Sequence, residues 1–201
     1  AILNLKPQLV HSNLEQSDLL LIITKFFYRN AKYIRTLHNI KAFNKYPLWL
    51  HKMLFKFYDK NVGCSEFTKT HFEIRELRKE IIAINNGVDM VRINHKAKSE
   101  SSLSKDENKT TFVVIGTSQK RFGEYQKGHD LIFKAFKNIK EKYQVIFLGD
   151  LENISADFPV ESLNPYFNFV GVTSDISQFL KISDYILAAS RFEGLPISTI
   201  E

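Results

Sequence analysis

A succession of short apolar runs, each closed by a polar or glycine turn and followed by a stretch of helical length, limits this chain to few architectures. Leu9–His11, Tyr33–Leu37, Asn61–Ser65 and Ile81–Ile84 read as strands in the first half. Thr111–Ile115, Gln144–Leu148, Phe167–Val170 and Tyr185–Ala189 read as strands in the second. Helices are expected over Asn13–Phe27, over Leu48–Tyr58, from about Glu66, over Asp130–Tyr143 and over Asp175–Ile182. In Asp130–Tyr143, Leu131, Ile132, Ala135, Phe136 and Ile139 share a face opposite Lys134, Lys137 and Lys140, and Asp130 is placed to cap the helix. Strands alternating with helices in this way argue for α/β architecture with parallel sheets.

The pattern is interrupted once. Lys98–Lys109 has almost no apolar content and reads as a solvated linker or mobile loop. The expected organisation is therefore one domain over 1–91, a polar linker over 92–110 and a second domain over 111–201. A hydrophobic fraction of 44% and a charged fraction of 25% are those of a globular protein. Cys64 is the single cysteine, which rules out an internal disulfide framework, fits a reducing compartment and suits a small buried residue. The apolar run Leu19–Phe27 is too short to span a bilayer and is broken by Lys25. The start of the chain lacks the pattern of a signal peptide, so a cytoplasmic location is expected. A formal charge of +6 suits anionic partners without choosing among them. Aromatic and basic residues are not interleaved as in a single-strand nucleic-acid surface, and no nucleic-acid partner is expected. No spacing of metal-ligating residues, no P-loop and no G-x-G-x-x-G is present.

The segment Ser190–Glu201 (Ser-Arg-Phe-Glu-Gly-Leu-Pro-Ile-Ser-Thr-Ile-Glu) carries the most chemistry. It follows an apolar run short enough for a buried parallel strand, and Pro196 suits the first turn of a helix. Strand–loop–helix turns of open α/β sheets lie at the carboxyl ends of the strands, where ligands bind. A helix start suits a phosphate, and Glu201 would sit about 8 Å along the helix axis. Glu193 and Glu201 flanking such a site could hold the hydroxyls of a sugar nucleotide.

This segment resembles the E-x7-E signature of retaining glycosyltransferases with the GT-B fold, in particular family 4. Further landmarks follow in the family's order. Lys6–Ser12 looks like "KPDIVHSH", Tyr33–His38 like "vyTvHg", Val62–Ser65 like "iiavS", Ile84–Asp89 like "IPNGVD" and Gln126–Ile132 like "KG-x-d-LL". The resemblance implies two Rossmann-like domains with parallel sheets, an acceptor-side domain first and a nucleotide-sugar domain second. It also implies transfer of a hexose from a donor such as a UDP- or GDP-hexose to an acceptor hydroxyl with retention of configuration. No cofactor and no obligatory metal are implied. The acceptor would be a glycan or a lipid-linked molecule, in bacterial surface polysaccharide or glycolipid synthesis.

By the same resemblance, His38, Lys127 and Glu193 are the expected catalytic residues. His38 would lie near the donor phosphate and the acceptor, Lys127 would hold the diphosphate, and Glu193 would face the donor sugar. Gly116, Arg121, Gly194, Leu195 and Glu201 join Lys127 and Glu193 in the expected donor site. Gly194 and Leu195 would supply backbone N–H groups to the diphosphate, and Glu201 would hold the ribose. His11 is a weaker candidate beside His38. Two departures stand out. Thr117 follows Gly116 where the family has an arginine, and Arg121 is the nearby candidate for that role. Both domains also lack expected strands, so an internal fragment, inactive by itself, is expected. The alternatives are a non-catalytic GT-B remnant or a GT-B nucleotide-sugar epimerase. Finally, Lys52, Lys56 and Lys60 share a stripe beside Trp49, Met53 and Phe57, with Lys41, Lys45 and His51 nearby. This marks 41–60 as a candidate peripheral contact with an anionic membrane.

Overall fold

The computed structural model describes residues 2–13, 15–40, 47–74, 80–90, 103–140, 142–158 and 164–200. Two compact units divide the chain. The first comprises Ala1–Gly87 with Phe192–Ile197, and the second Val88–Arg191 with Ser198–Glu201. The division falls a few residues before Val91, and it groups the loop Phe192–Ile197 with the first unit.

The first unit contains α1 (Ile2–Leu5), β1 (Leu9–Ser12), α2 (Glu15–Phe27), β2 (Lys32–Leu37), α3 (Leu48–Phe57), β3 (Lys60–Gly63), α4 (Glu66–Glu73) and β4 (Ile81–Ala83). Its four strands are parallel and lie in the order β1-β2-β3-β4. The two-residue period of a strand decides which side chains enter the core. In β2, Tyr33, Arg35 and Leu37 are buried on one face. Tyr33 packs with Val10, Leu54 and Tyr58, and Leu19, Leu21 and Ile22 of α2 lean on that cluster. Leu37 packs with Phe55, Phe72 and Ile81, between α3 and α4.

Arg35 occupies the same buried row as these apolar residues. Its side chain is 2% exposed and bonds to the Asp18 carboxylate at 3.1 Å, and the guanidinium lies 4.4 Å from the Phe55 ring centre. The Tyr58 hydroxyl donates to the Asp18 carbonyl at 3.1 Å, and burial pushes that phenol well above its usual range. A lone buried charge is costly, so this pair is held as a unit.

The second unit contains β5 (Thr110–Ile115), the hairpin β6 (Lys120–Arg121) and β7 (Glu124–Tyr125), α5 (His129–Phe136), β8 (Tyr143–Leu148), α6 (Glu152–Asp157), β9 (Phe167–Gly171), α7 (Ser177–Ile182) and β10 (Tyr185–Ile186). A last short helix, α8 (Ile197–Ile200), follows Pro196. The main sheet is parallel, in the order β10-β5-β8-β9. Strand β8 is buried on both faces, which explains its near-continuous apolar run. Val145 and Phe147 meet Phe133 and Phe136 of α5 and Ile154 of α6 on one face, while Ile146 and Leu148 meet Val113 and Phe179 of α7 on the other.

Several sequence expectations shift. The helix expected over Asp130–Tyr143 ends at Phe136, where the Ile139 N–H turns back to the Phe136 carbonyl at 3.3 Å, and Tyr143 opens β8 instead. Gly128, not Asp130, stands at its N-cap; Asp130 lies inside the first turn, and its carboxylate is engaged by Arg191. The strand expected over Tyr185–Ala189 pairs only at Tyr185 and Ile186, and these edge residues are 61% and 36% exposed rather than buried. The polar linker is partly fastened: Leu103 leans on the Phe179 cluster and Lys105 bonds to Asp184 at 2.9 Å. Residues 91–102 lie outside those described.

Asp18→Ala should lower unfolding stability by about 3–5 kcal/mol, because it leaves the Arg35 charge buried without its carboxylate. The double replacement Asp18→Leu with Arg35→Met should recover most of the loss, as read from urea midpoints.

Candidate functional site

The strand order of the second unit creates a natural binding position. The chain runs outward from β5 to β8 and β9, then returns to place β10 on the other side of β5. The crevice above such a reversal, at the carboxyl ends of the strands, is where open α/β sheets bind ligands. Gly116 ends β5 there with φ 147°, and a Cβ on it would lie 2.8 Å from Cγ of Lys127. The aliphatic stem of Lys127 therefore lies directly over the Gly116 backbone. Gly149, after β8, approaches from one side: its Cβ would fall 2.4 Å from the Gly116 oxygen. Gly128, with φ 68°, closes the other side, its Cβ falling 2.1 Å from the Ala189 oxygen after β10. A Cβ at Gly128 or Gly149 would force backbones apart, and one at Gly116 would push the Lys127 stem aside.

Two residues that sequence reasoning did not assign to the site hold this arrangement. Arg191 forms a two-pronged bond to Asp130 at 2.7 and 2.8 Å and donates to the Tyr125 carbonyl at 2.9 Å. It thereby ties the end of β10 to the loop that carries Lys127, and it holds the Asp130 carboxyl below its usual range. No local sequence signal marks this pairing, because Arg191 and Asp130 lie 61 residues apart. His129 is 1% exposed, and neither ring nitrogen makes a well-formed hydrogen bond. Burial, with the Lys127 cation nearby, pushes its pKa down to about 4, against the opposing pull of Asp130 and the Gly116 backbone. Arg121 is exposed on the β6–β7 hairpin, in register with Glu124.

In the first unit the carboxyl ends of β1, β2 and β3 carry the other candidates. His38 follows β2, and its Nε2 lies 3.4 Å from Oδ1 of Asn13. His11 is committed to the Thr36 hydroxyl at 2.8 Å, across the β1–β2 pair. The loop Phe192–Ile197 sits on these strand ends. Gly194 is buried, and a Cβ there would lie 2.3 Å from the His38 oxygen and 2.5 Å from Sγ of Cys64. The Ser65 hydroxyl donates to the Gly194 carbonyl at 2.8 Å, and the Asn86 amide donates to the Leu195 carbonyl at 3.1 Å. His38, Glu193, Gly194 and Leu195 are thus gathered in one place, with Glu193 half-buried beside the glycine. Cys64 is buried, as expected of it.

Glu201 and the lysines at 41 and 45 lie outside the described residues. On α3, Trp49 and Met53 are 66% and 41% exposed, and Lys52 and Lys56 are exposed beside them. Phe57 instead packs edge-on against Tyr58 with ring centres 5.4 Å apart, and His51 is buried, so neither belongs to the exposed stripe. Among the described residues no group of three or more His, Cys, Asp and Glu side chains could hold a metal ion, and no helix is long and apolar enough to cross a membrane.

Residues 109–201 match the family described as Glycosyl transferases group 1. No curated protein matches the chain. The fold is that of the GT-B glycosyltransferases among the solved structures. The Anabaena Alr3699/HepE protein in complex with UDP superposes with a TM-score of 0.65 at 15% identity, over 92% of this chain and 54% of that one. A glycosyltransferase from Rickettsia africae superposes with a TM-score of 0.65 at 20% identity, over 94% and 53%. The lipopolysaccharide outer core galactosyltransferase WaaB superposes with a TM-score of 0.62 at 16% identity, over 99% and 54%. The chain therefore spans about half the length of the structures it matches.

The buried His129 makes stability depend on pH. Unfolded, its imidazole takes a proton near pH 6.5; folded, it resists protonation down to about pH 4. Below 6.5 the unfolded state binds the extra proton, so stability should fall as pH drops from 6.5 to 4. Thermal melts across this window should show a flatter profile for His129→Phe than for the unaltered chain.

Proposed function

We propose that this chain is part of a retaining GT-B glycosyltransferase that moves a hexose from a nucleotide-sugar to an acceptor hydroxyl. One observation carries the reading: the Lys127 stem lies over Gly116 at the switch point of the second sheet, closed in by Gly128 and Gly149. That arrangement presents a cation and exposed backbone where a diphosphate would sit. As the glycosidic bond of the donor breaks, negative charge grows on the leaving phosphate, and a fixed lysine ammonium stabilises it. The match of residues 109–201 to group 1 glycosyltransferases supports the same assignment. So does the likeness to Alr3699/HepE, whose structures contain UDP and UDP-glucose. Donor chemistry of this kind needs no redox cofactor, and Lys127 would supply the positive charge that a metal provides elsewhere.

In this reading Glu193 faces the donor sugar, and Glu201 binds the ribose hydroxyls. Gly194 and Leu195 present backbone to the diphosphate. His38 lies beside them, near the acceptor. Arg121 would reach the donor from the β6–β7 hairpin. The acceptor is a glycan or lipid-linked hydroxyl of a bacterial surface polysaccharide or glycolipid, and the protein works on the cytoplasmic side. Titration calorimetry with UDP tests the donor site. Lys127→Ala should weaken UDP binding by about 1.5–3 kcal/mol, the worth of a charged hydrogen bond. Unchanged affinity would remove Lys127 from the site.

We further assign a peripheral membrane contact to the outer face of α3. Lys52, Lys56 and Lys60 are exposed on this stretch, whereas Arg35 is buried against Asp18 and Lys25 is paired with Asp59. Lys52 and Lys56 flank the exposed Trp49 and Met53, a pairing that suits anionic headgroups and the acyl boundary. Replacing Lys52, Lys56 and Lys60 by Gln should weaken binding to vesicles containing anionic lipid by about 1 kcal/mol per lysine. Equal sedimentation of the parent chain with neutral and anionic vesicles would exclude the contact.

A further inference from the structure

We propose that Ser65 and Asn86 are positioning residues that set the Glu193–Leu195 loop; what the loop then binds rests on the donor-site reading above. The hydrogen bonds around Ser65 have only one consistent direction. The Gly194 carbonyl can only accept, so the Ser65 hydroxyl must donate its single proton there, at 2.8 Å. The Ser65 oxygen is then left as an acceptor. It accepts from the Thr68 backbone N–H at 3.0 Å, which caps α4, and from the Thr68 hydroxyl, also at 3.0 Å. The result is a directed chain, Thr68 hydroxyl to Ser65 hydroxyl to Gly194 carbonyl, and such chains strengthen each member.

This chain fixes a peptide plane. The Gly194 carbonyl and the Leu195 N–H belong to one trans peptide, so they point in opposite directions. With the carbonyl held by Ser65, the Leu195 N–H is aimed away from Ser65. The next carbonyl, of Leu195, is held by the Asn86 amide at 3.1 Å, and the residue that follows is Pro196, which has no N–H to compete. Two consecutive peptide planes are thus set by side-chain donors, Ser65 and Asn86. Gly194 has no space to adjust, with the His38 oxygen and Cys64 Sγ beneath it. The direction in which Glu193 leaves the loop follows from these restraints.

Cys64, the single cysteine, is 1% exposed beneath Gly194, so its thiol reports on the seating of the loop without any ligand. When opening is fast, its alkylation by iodoacetamide tracks the open population. Asn86→Ala should speed labelling about fivefold to tenfold, the loss of one hydrogen bond, and Ser65→Ala by at least as much, since it also removes the cap of α4. Ser65→Thr, which keeps the hydroxyl, should restore slow labelling. Leu54→Ala, which loosens the core of the first unit far from the loop contacts, should not produce the same increase at matched stability. In calorimetry the two alanine variants should lose affinity for UDP-glucose about fivefold more than for UDP, because the sugar is what Glu193 faces. Unchanged labelling overturns the proposal, and so does unchanged affinity for both ligands. If the parent chain binds neither ligand, the donor reading fails, and labelling alone then decides whether Ser65 and Asn86 seat the loop.

Discussion

Three backbones converge at the carboxyl end of β5 with no room for a side chain between them. The missing Cβ atoms of Gly149 and Gly128 would stand 2.4 and 2.1 Å from the carbonyl oxygens of Gly116 and Ala189, well inside atomic contact. This closeness decides much of the second unit. It brings the segment after β8 against Gly116 and the start of α5 against the segment after β10, and the Lys127 stem lies over Gly116. The Arg191 fork on Asp130 then fixes the end of β10 to the same point. Because the sheet reverses direction here, the crevice opens where few side chains fill it. The core beneath is unusually aromatic: Phe147 stacks on Phe169 at 5.0 Å, and Phe136 meets Tyr143 edge-on at 4.9 Å. Flat rings packed under one face of β8, with mostly aliphatic side chains under the other, make a stiff platform for backbone at the strand ends.

The first unit solves a related problem with polar groups. Its buried row in β2 contains a full charge, Arg35, neutralised by Asp18 and covered by the Phe55 and Tyr58 rings. At its strand ends, side-chain donors hold the loop Phe192–Ile197 by its carbonyls, where the second unit uses the close approach of glycines. Both devices place backbone rather than long side chains at the carboxyl ends of parallel strands. The proposed binding of a diphosphate through N–H groups and a lysine would use such backbone at the strand ends of the second unit.

Much of this was legible from residue order. Alternating apolar runs and helical stretches gave parallel sheets because a strand buried on both faces, such as β8, must be nearly continuous in Val, Ile, Leu and Phe. Lys127 and Gly116 were legible as a pair only through resemblance to a family. Their contact depends on strand order, which local pattern does not encode. Asp130 was misread as a cap because an acid at a helix start usually is one. Its partner lies 61 residues away, beyond any window of periodicity. The short extent of β10 was likewise hidden: an apolar run does not say how many of its residues will pair. His129 gave no signal, since a histidine next to a lysine and an aspartate looks like a surface residue until burial is known.

The central claim is that the diphosphate of a nucleotide-sugar rests over Gly116 under the Lys127 ammonium. A crystal structure of this chain grown with UDP tests it most directly. The account predicts phosphate oxygens within hydrogen-bond reach, about 2.7–3.2 Å, of Lys127 Nζ and of backbone N–H groups at the ends of β5 and β10. Well-ordered UDP bound elsewhere, with Lys127 still lying over Gly116 and touching no phosphate, would contradict it.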